Sequence, residues 1–367
     1  MARTLDGFAQ CAPGLEDLVA GELGQLGIRP GRREPGGVSF RPTTRQLYAA
    51  NLWLRTATRV LVRRASFRAE SFAELERAAK ALAWDEWLSV ETRPVFRVSS
   101  TRSRLYHTEA ISERLQHVVG TGPLDAPEQL VTVRLVADQV TVSVDSSGDR
   151  LHRRGWRLAT ARAPLRETLA AAMLIAAGWH GQSPLADPLC GSGTIAIEAA
   201  LAARQLPPGG GRSFAFQRWP SFQPGTWASV TGDANQRARP AGSGPSILAA
   251  DRDAGAIAAT RANAERAGVA EDLDIRVAAL SAFEPPADSP PGLLLSNPPY
   301  GGRIKGGPDL RDLYAAVGRL QRTRLIAWQV GLLVADRSLA VQTGLDLEER
   351  LRTTNGGIPV QLLVSRG

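Results

Sequence analysis

At 367 residues, 43% of them hydrophobic and 22% charged, the chain is too long for one ordinary core and too apolar to be disordered, so roughly two or three folded domains are expected. Its formal net charge of +8 favours a polyanionic partner, since Lys and Arg release counterions when they neutralise phosphates; a compositional preference for Arg, with Lys80 and Lys305 the only lysines, is the competing explanation. Cys11 and Cys190 fit no metal knuckle or disulfide framework, and His107, His117, His152 and His180 lack paired ligand spacing, so a reduced, cytoplasmic, metal-free protein is expected.

The opening residues "MARTLDGFAQCAPGLEDL" lack the basic then apolar profile of a leader. "PGLEDLVAGELGQLG" places Leu15, Leu18, Val19, Leu23 and Leu26 on one helical face and stops at Gly27. "SFAELERAAKALAW" repeats that pattern, with Ser71 and Glu74 spaced as a capping box. "QLVTVRLVADQVTVSVDSSG" predicts two strands meeting at Ala137 and Asp138. Up to about residue 150 the pattern is α+β.

From about residue 163 strands and helices alternate. The oily stretch "LAAAMLIAAGW" is too short to span a bilayer. "SPLADPL" leads into a glycine turn and a helix over 194–205. "SILAAD" leads into a helix from Asp253 to Ala267 that closes at Gly268, and "DIRVAA" and "GLLLSN" follow as strands. A helix around 309–322 and the strand "AWQVGLLVAD" continue the alternation, which implies a doubly wound, Rossmann-like parallel sheet. The tail, "RLRTT" then "IPVQLLVSR", predicts an antiparallel hairpin turning at Asn355 and Gly356. The stretch 203–245 is too long for a bare connection, so it is disordered or functional. Its Arg212, Phe214, Phe216, Arg218 and Trp219 suit either base stacking and phosphate contact or the pinning of a loop to the core.

Chemistry concentrates at the ends of three predicted strands. In "ADPLCGSGTIAIEAA", Gly191 and Gly193 let backbone approach a ligand at a helix N-terminus. "GSGTIA" nearly satisfies a dinucleotide fingerprint, but the acid expected about 20 residues on is absent, and the first acid ending a strand is Asp251. Asp187 and Asp251 suit an ammonium group and a pair of ribose hydroxyls, both of which S-adenosylmethionine carries. In "SNPPYGGR", Asn297 and the carbonyl of Pro298 are acceptors in a turn that proline stiffens, suited to both hydrogens of an exocyclic amine, and Tyr300 suits stacking on the ring that bears it. Positioning an amine in line with a sulfonium methyl supplies on the order of 7–11 kcal/mol and needs acceptors rather than a strong base. Cys190, inside the glycine turn, is a small loop residue rather than a covalent nucleophile, and Cys11 is a packing residue.

These motifs resemble the amino-methyltransferases of the class I fold. With "CAPGLEDLVAGEL", "DSSGDRLHRRGWR", "APLRETLAAAML", "DPLCGSGTIAIEAAL", "NAERAGV", "SNPPYGGR" and "TTNGG" in order, nearly the whole chain resembles the THUMP-containing RNA guanosine methyltransferases, in particular the ribosomal RNA guanine-2-amino branch. The resemblance implies an α/β protein with a ferredoxin-like domain over 1–65, a THUMP RNA-binding domain over 66–155 and a class I methyltransferase domain over 156–367. It implies S-adenosyl-L-methionine at Pro164, Leu165, Asp187, Cys190, Gly191, Ser192, Gly193, Thr194, Asp251 and Asn297, and a target base at Asn297, Pro298, Pro299 and Tyr300. The partner it implies is structured RNA, ribosomal before transfer RNA. A non-catalytic RNA-binding factor and a DNA adenine methylase are the rival classes. One departure stands out: "VAALSAFEPP" has no acid before Glu284, where many relatives contact adenine, which leaves Ser281 or a backbone group for that task. A second fused methyltransferase, found in some relatives, is not expected.

Overall fold

Alternation at period two builds the first sheet. In "QLVTVRLV" and "QVTVSVD", Val131, Val133, Leu135, Val140, Val142 and Val144 are all at most 1% exposed, while the residues between them face the other side of the pleat. The computed structural model describes residues 4–157, 165–285, 289–299 and 308–366. These form two compact units. The first comprises Met1–Cys11, Val19–Leu151 and Arg212–Thr231, and the second Ala12–Leu18, His152–Gly211 and Gly232–Gly367.

Up to residue 151 the elements run β1 (Asp6–Gln10), α1 (Glu16–Gln25), β2 (Pro30–Glu34), β3 (Gly37–Phe40), α2 (Thr44–Trp53), β4 (Arg59–Arg68), α3 (Phe72–Lys80), β5 (Arg93–Thr101), α4 (Thr108–Val119), β6 (Glu128–Val136) and β7 (Gln139–Asp145). One seven-stranded sheet, ordered β2-β3-β1-β4-β7-β6-β5, carries the first unit. β4 joins its halves, pairing with β1 on one side and β7 on the other, and runs continuously through position 65 with a register shift between Arg63 and Ala65. The turn at Ala137 and Asp138 forms as predicted, with φ of 51° and 67°. Leu75 and Ala79 of α3 and Ile111 and Leu115 of α4 pack on Phe96, Val131 and Val142. The capping box at Ser71 is half made: its hydroxyl accepts from Glu74 N, but the Glu74 carboxylate accepts from Glu70 N at 2.8 Å instead of closing back on Ser71.

Of the two readings open for the aromatic residues of the 203–245 stretch, the structure has the one in which they pin the loop to the core. The stretch is ordered, and its rings are core rather than a stacking surface. It contains α7 (Pro224–Arg237), and residues 212–231 belong to the first unit. Phe214, Phe216 and Trp219 are 0%, 0% and 5% exposed. Phe216 stacks on Tyr48 with centroids 4.3 Å apart, Trp219 meets Trp87 edge-on at 4.6 Å, and Trp227 closes the cluster. The arginines are equally occupied: Arg212 donates to the carbonyls of Ser147, Asp149 and Arg150, and Arg218 to that of Glu128. Trp219 Nε1 donates to buried Gln129 Oε1 at 2.8 Å. Trp219→Phe therefore strands a buried acceptor and lowers stability by about 1–3 kcal/mol, read as a drop in denaturant midpoint.

The second unit alternates as the sequence predicts, through α5 (Glu167–Ala176), β8 (Leu185–Asp187), α6 (Thr194–Ala203), β9 (Ile247–Asp251), α8 (Ala254–Ala267), β10 (Asp274–Val277), β11 (Leu293–Ser296), α9 (Pro308–Thr323), β12 (Gln329–Val334), α10 (Arg337–Val341), β13 (Leu347–Asn355) and β14 (Ile358–Ser365). Its order is β10-β9-β8-β11-β12-β14-β13, parallel through β12, with β14 antiparallel to both its neighbours. The closing hairpin turns one residue later than predicted. Asn355 pairs with Ile358, and the turn residues are Gly356 and Gly357 at φ of 60° and 88°, because both central positions need left-handed backbone that two glycines supply at no steric cost. Among the described residues, no helix is long and apolar enough to cross a membrane.

Candidate active site

In an open α/β sheet the ligand site lies beyond the carboxyl ends of the strands, where the strand order reverses. Here that place is the boundary between β8 and β11, with β9 on the other side of β8. Asp187, Asp251 and Asn297 are respectively the last residues of β8 and β9 and the first beyond β11. The alternation that made these strands recognisable also delivers three polar side chains to one edge of the sheet.

Asp187 is 1% exposed. Ser296 Oγ donates to its Oδ1 at 2.5 Å, and Leu189 N donates to the same oxygen at 3.3 Å. Burial raises its pKa to about 7; the two hydrogen bonds oppose the rise, and the Asp251 carboxylate adds to it. The site thus holds a carboxyl that stays partly protonated near neutral pH and that a neighbouring cation would drive to the ionised form.

The glycine turn is fastened from two sides. Asp251 Oδ2 accepts from Gly191 N and Oδ1 from Asp253 N, each at 3.0 Å, and each oxygen keeps lone-pair capacity for a further donor. From α8, Thr260 Oγ1 donates to Gly191 O at 2.8 Å and Asn263 Nδ2 to Ser192 O at 3.1 Å. The two glycines serve different ends. At Gly193, φ +81°, a Cβ would lie 2.6 Å from Thr260 Cγ2, so the small residue is needed for helix packing. At Gly191, φ +55°, a Cβ would meet nothing within 4 Å, so the backbone is bare toward open space and available to a ligand. Gly193 is the N-cap of α6 and Thr194 its first residue, where free N–H groups gather. Cys190 is 7% exposed, with Sγ 3.8 Å from Thr260 Oγ1. Burial first and the Asp187 charge second push its thiol well above the ordinary range, the reverse of what a nucleophile needs.

Asn297 carries the most telling feature of the site. Its Oδ1 is buried and has no hydrogen-bond partner among the described residues. An amide oxygen in that state costs about 1–3 kcal/mol, so a ligand donor is the natural partner. Through Ser296, the preceding residue, the turn is tied directly to Asp187. Pro298 is buried and Pro299 half-buried. Tyr300 and Pro164 lie outside the described residues.

Sequence reasoning assigned no role to a buried charged network beneath the turn. Arg157 donates to Leu165 O at 2.9 Å and to Thr194 Oγ1, and its Nε lies 3.3 Å from Glu167 Oε1. Arg154 pairs with Glu198 at 3.2 Å, and Arg266 donates to Trp156 O at 2.8 Å. Burial lowers the pKa of Arg157 and raises that of Glu167, each shift opposed by the other's charge. One guanidinium thus clamps the segment before α5 to the start of α6. The signal was present in "GWR" and "NAERAGV", but the partners belong to the fold.

The arrangement fits a nucleoside-bearing cation beside an amine, and the comparisons place the chain among methyltransferases. The UPF0020 family model, an RMKL-like methyltransferase domain, matches residues 154–361, and the RlmL ferredoxin-like domain matches residues 6–61. The chain is 33% identical to slr0064 of Synechocystis sp., named as an RNA methyltransferase candidate, over 99% of this chain and 97% of that one. It is 35% identical to a ribosomal RNA large subunit methyltransferase K/L of Syntrophotalea carbinolica over 97% of this chain, which spans 53% of that longer protein. Among solved structures, SMU.472, a methyltransferase candidate complexed with SAH, superposes with a TM-score of 0.89 at 29% identity, over 100% of this chain and 99% of that one.

Proposed function

The chain belongs to the RMKL-like methyltransferase family, and we propose that it methylates the exocyclic 2-amino group of a guanosine in structured RNA, within 23S ribosomal RNA. S-adenosylmethionine is the cofactor, and when bound it supplies an electrophilic methyl on sulfur. The observation that carries the proposal is the partnerless buried oxygen of Asn297, one residue from the bond that ties Ser296 to Asp187.

The geometry supports the following roles. Asp187 would hold the ammonium of the cofactor. Asp251 would take the ribose hydroxyls with the oxygens that also hold the turn, and the backbone from Cys190 through Ser192 to Thr194, bared at Gly191, would meet the cofactor together with Leu165. Asn297 Oδ1 and the Pro298 carbonyl accept the two hydrogens of the guanine amine, and Pro299 keeps the turn rigid. The family resemblance assigns Tyr300 to the base and Pro164 to the cofactor; both lie outside the described residues. Accepting both N–H bonds draws the nitrogen lone pair out of conjugation with the ring, which keeps the amine nucleophilic while it still bears both protons; methyl transfer would break the cofactor's sulfur–methyl bond, and the proton would leave afterwards. Residues 1–65 form the ferredoxin-like domain, 66–155 the THUMP domain that grips the RNA, and 156–367 the catalytic domain; the enzyme works in the cytoplasm, where that RNA is made.

Ribosomal RNA from a strain lacking the gene is expected to accept labelled methyl groups from the purified enzyme, while RNA from the parent strain is not. Label confined to transfer RNA, or to protein glutamine, would overturn the substrate. Arg157→Lys keeps the charge but loses the fork that spans Leu165 and Thr194. It should raise KM for S-adenosylmethionine roughly tenfold, a loss of about 1.4 kcal/mol, with kcat within about twofold.

A further inference from the structure

The first sheet has a helix-covered face and an open one, and the open face is not ordinary surface. On β5, β6 and β7 the residues turned away from α3 and α4 are Arg97, Ser99, Thr132, Arg134, Thr141 and Ser143, and they line a cavity of about 800 Å³. Ser143 is 5% exposed, a hydroxyl sunk in the floor of the depression. Register sets Arg97 beside Thr132 and Arg134 beside Ser99 on the adjacent parallel strand, so the two guanidinium groups are diagonal neighbours roughly 7–8 Å apart at their bases. Both are exposed, and neither side chain makes an ion pair or hydrogen bond among the described residues.

Charge is distributed unevenly in this cavity. At the β1 and β4 end, Arg63 pairs with Glu34 at 2.9 Å, stacks on Phe8 at 4.3 Å and stands opposite Asp6 in the register. Arg64 lies 3.5 Å from Glu86 and over the Trp87 ring. At the β5 and β6 end no carboxylate lines the wall to meet Arg97 and Arg134. Two uncompensated cations on neighbouring strands repel each other, so the arrangement gains only when an anion joins them. Hydroxyls between them donate and accept, as phosphodiester oxygens and a ribose 2′-hydroxyl both require.

We propose that the β5 and β6 end of this cavity docks the sugar-phosphate backbone of the substrate RNA, with Arg97 and Arg134 on consecutive phosphates and Ser99, Thr132 and Thr141 on ribose. The proposal rests on the RNA reading above and adds the surface that holds the RNA. It predicts contact with backbone, insensitive to base identity.

The test is the full-length Arg97→Ala/Arg134→Ala variant. Both side chains are exposed, so folding is undisturbed. The control is Arg77→Ala/Lys80→Ala on α3, which removes the same charge from the helix-covered side. The probe is a mixed-sequence 20-nucleotide RNA hairpin, with its DNA counterpart, over a series of salt concentrations. The cavity variant should lose tenfold or more in RNA affinity at low salt, and its slope of log affinity against log salt should shrink by roughly 1.4–1.8. The control should keep both, and the wild type should prefer RNA to DNA. Equal losses in the two variants, an unchanged slope in the cavity variant, or equal affinity for DNA would overturn the proposal. Methyl transfer by the wild type reports separately on the RNA reading: it persists if only the docking surface is wrong.

Discussion

Asn297→Ala is expected to reduce methyl transfer by about 10²–10⁴-fold, the range for loss of a group that manages protons and charge at the reacting atom. Cofactor affinity should fall far less. Folding stability should be unchanged or slightly higher, because Oδ1 has no partner among the described residues and removing an unsatisfied buried acceptor relieves its desolvation penalty. That combination separates a residue kept for function from one kept for structure. Circular dichroism with a denaturant series, alongside single-turnover methyl transfer, reads both quantities. A variant with full activity, or one that simply unfolds, would contradict the assignment.

Cofactor affinity should depend on pH through Asp187. Its pKa is raised to about 7, chiefly by burial. Between the ordinary carboxylate value near 4 and 7, the folded protein therefore holds a proton that the unfolded chain has released. Stability of the unliganded protein then falls as pH rises through that window. Binding of an ammonium group works in the opposite direction. It requires the carboxylate, so below pH 7 it must expel the proton. Affinity for S-adenosylmethionine should climb roughly tenfold per unit well below pH 7 and then level above it, about fiftyfold between pH 5 and pH 7. Asp187→Asn should bind weakly and lose that slope. Calorimetry in buffers of different ionisation enthalpy would show the released proton directly, and a flat wild-type profile would exclude Asp187 as the ammonium partner.

The site was readable where chemistry sits next to a strand end. Asp187, Asp251 and Asn297 each close an apolar run, and parallel strands bring such ends to one edge whatever the loop lengths between them. The glycine turn was readable because only glycine tolerates φ of +55° and +81° there at no cost. Arg157 was not readable as a clamp, since Leu165, Glu167 and Thr194 become its neighbours only after α5 and α6 have packed. Ser296 was hidden for the same reason: its hydroxyl matters because β11 lies against β8.

Elsewhere the local rules ran ahead of the tertiary structure. Asn355 and Gly356 satisfied the usual hairpin signal, but Gly357 allowed the turn to move on by one, and Asn355 ended 4% exposed in the ladder. Glu74 had the spacing of a capping box and took the N–H of Glu70 instead. Composition alone left the 203–245 stretch open between disorder, RNA contact and a loop pinned to the core by its rings. What orders it is Tyr48 and Trp87, more than 100 residues earlier in the chain. A hydrophobic partner at that separation leaves no trace in local pattern.

The most direct test is the chemical identity of the methylated nucleoside. Unmodified 23S ribosomal RNA incubated with the enzyme and isotopically labelled S-adenosylmethionine, then digested and resolved by mass spectrometry, should yield label in N2-methylguanosine with the wild type and essentially none with Asn297→Ala. Label in N6-methyladenosine, or undiminished N2-methylguanosine from the variant, would contradict the account.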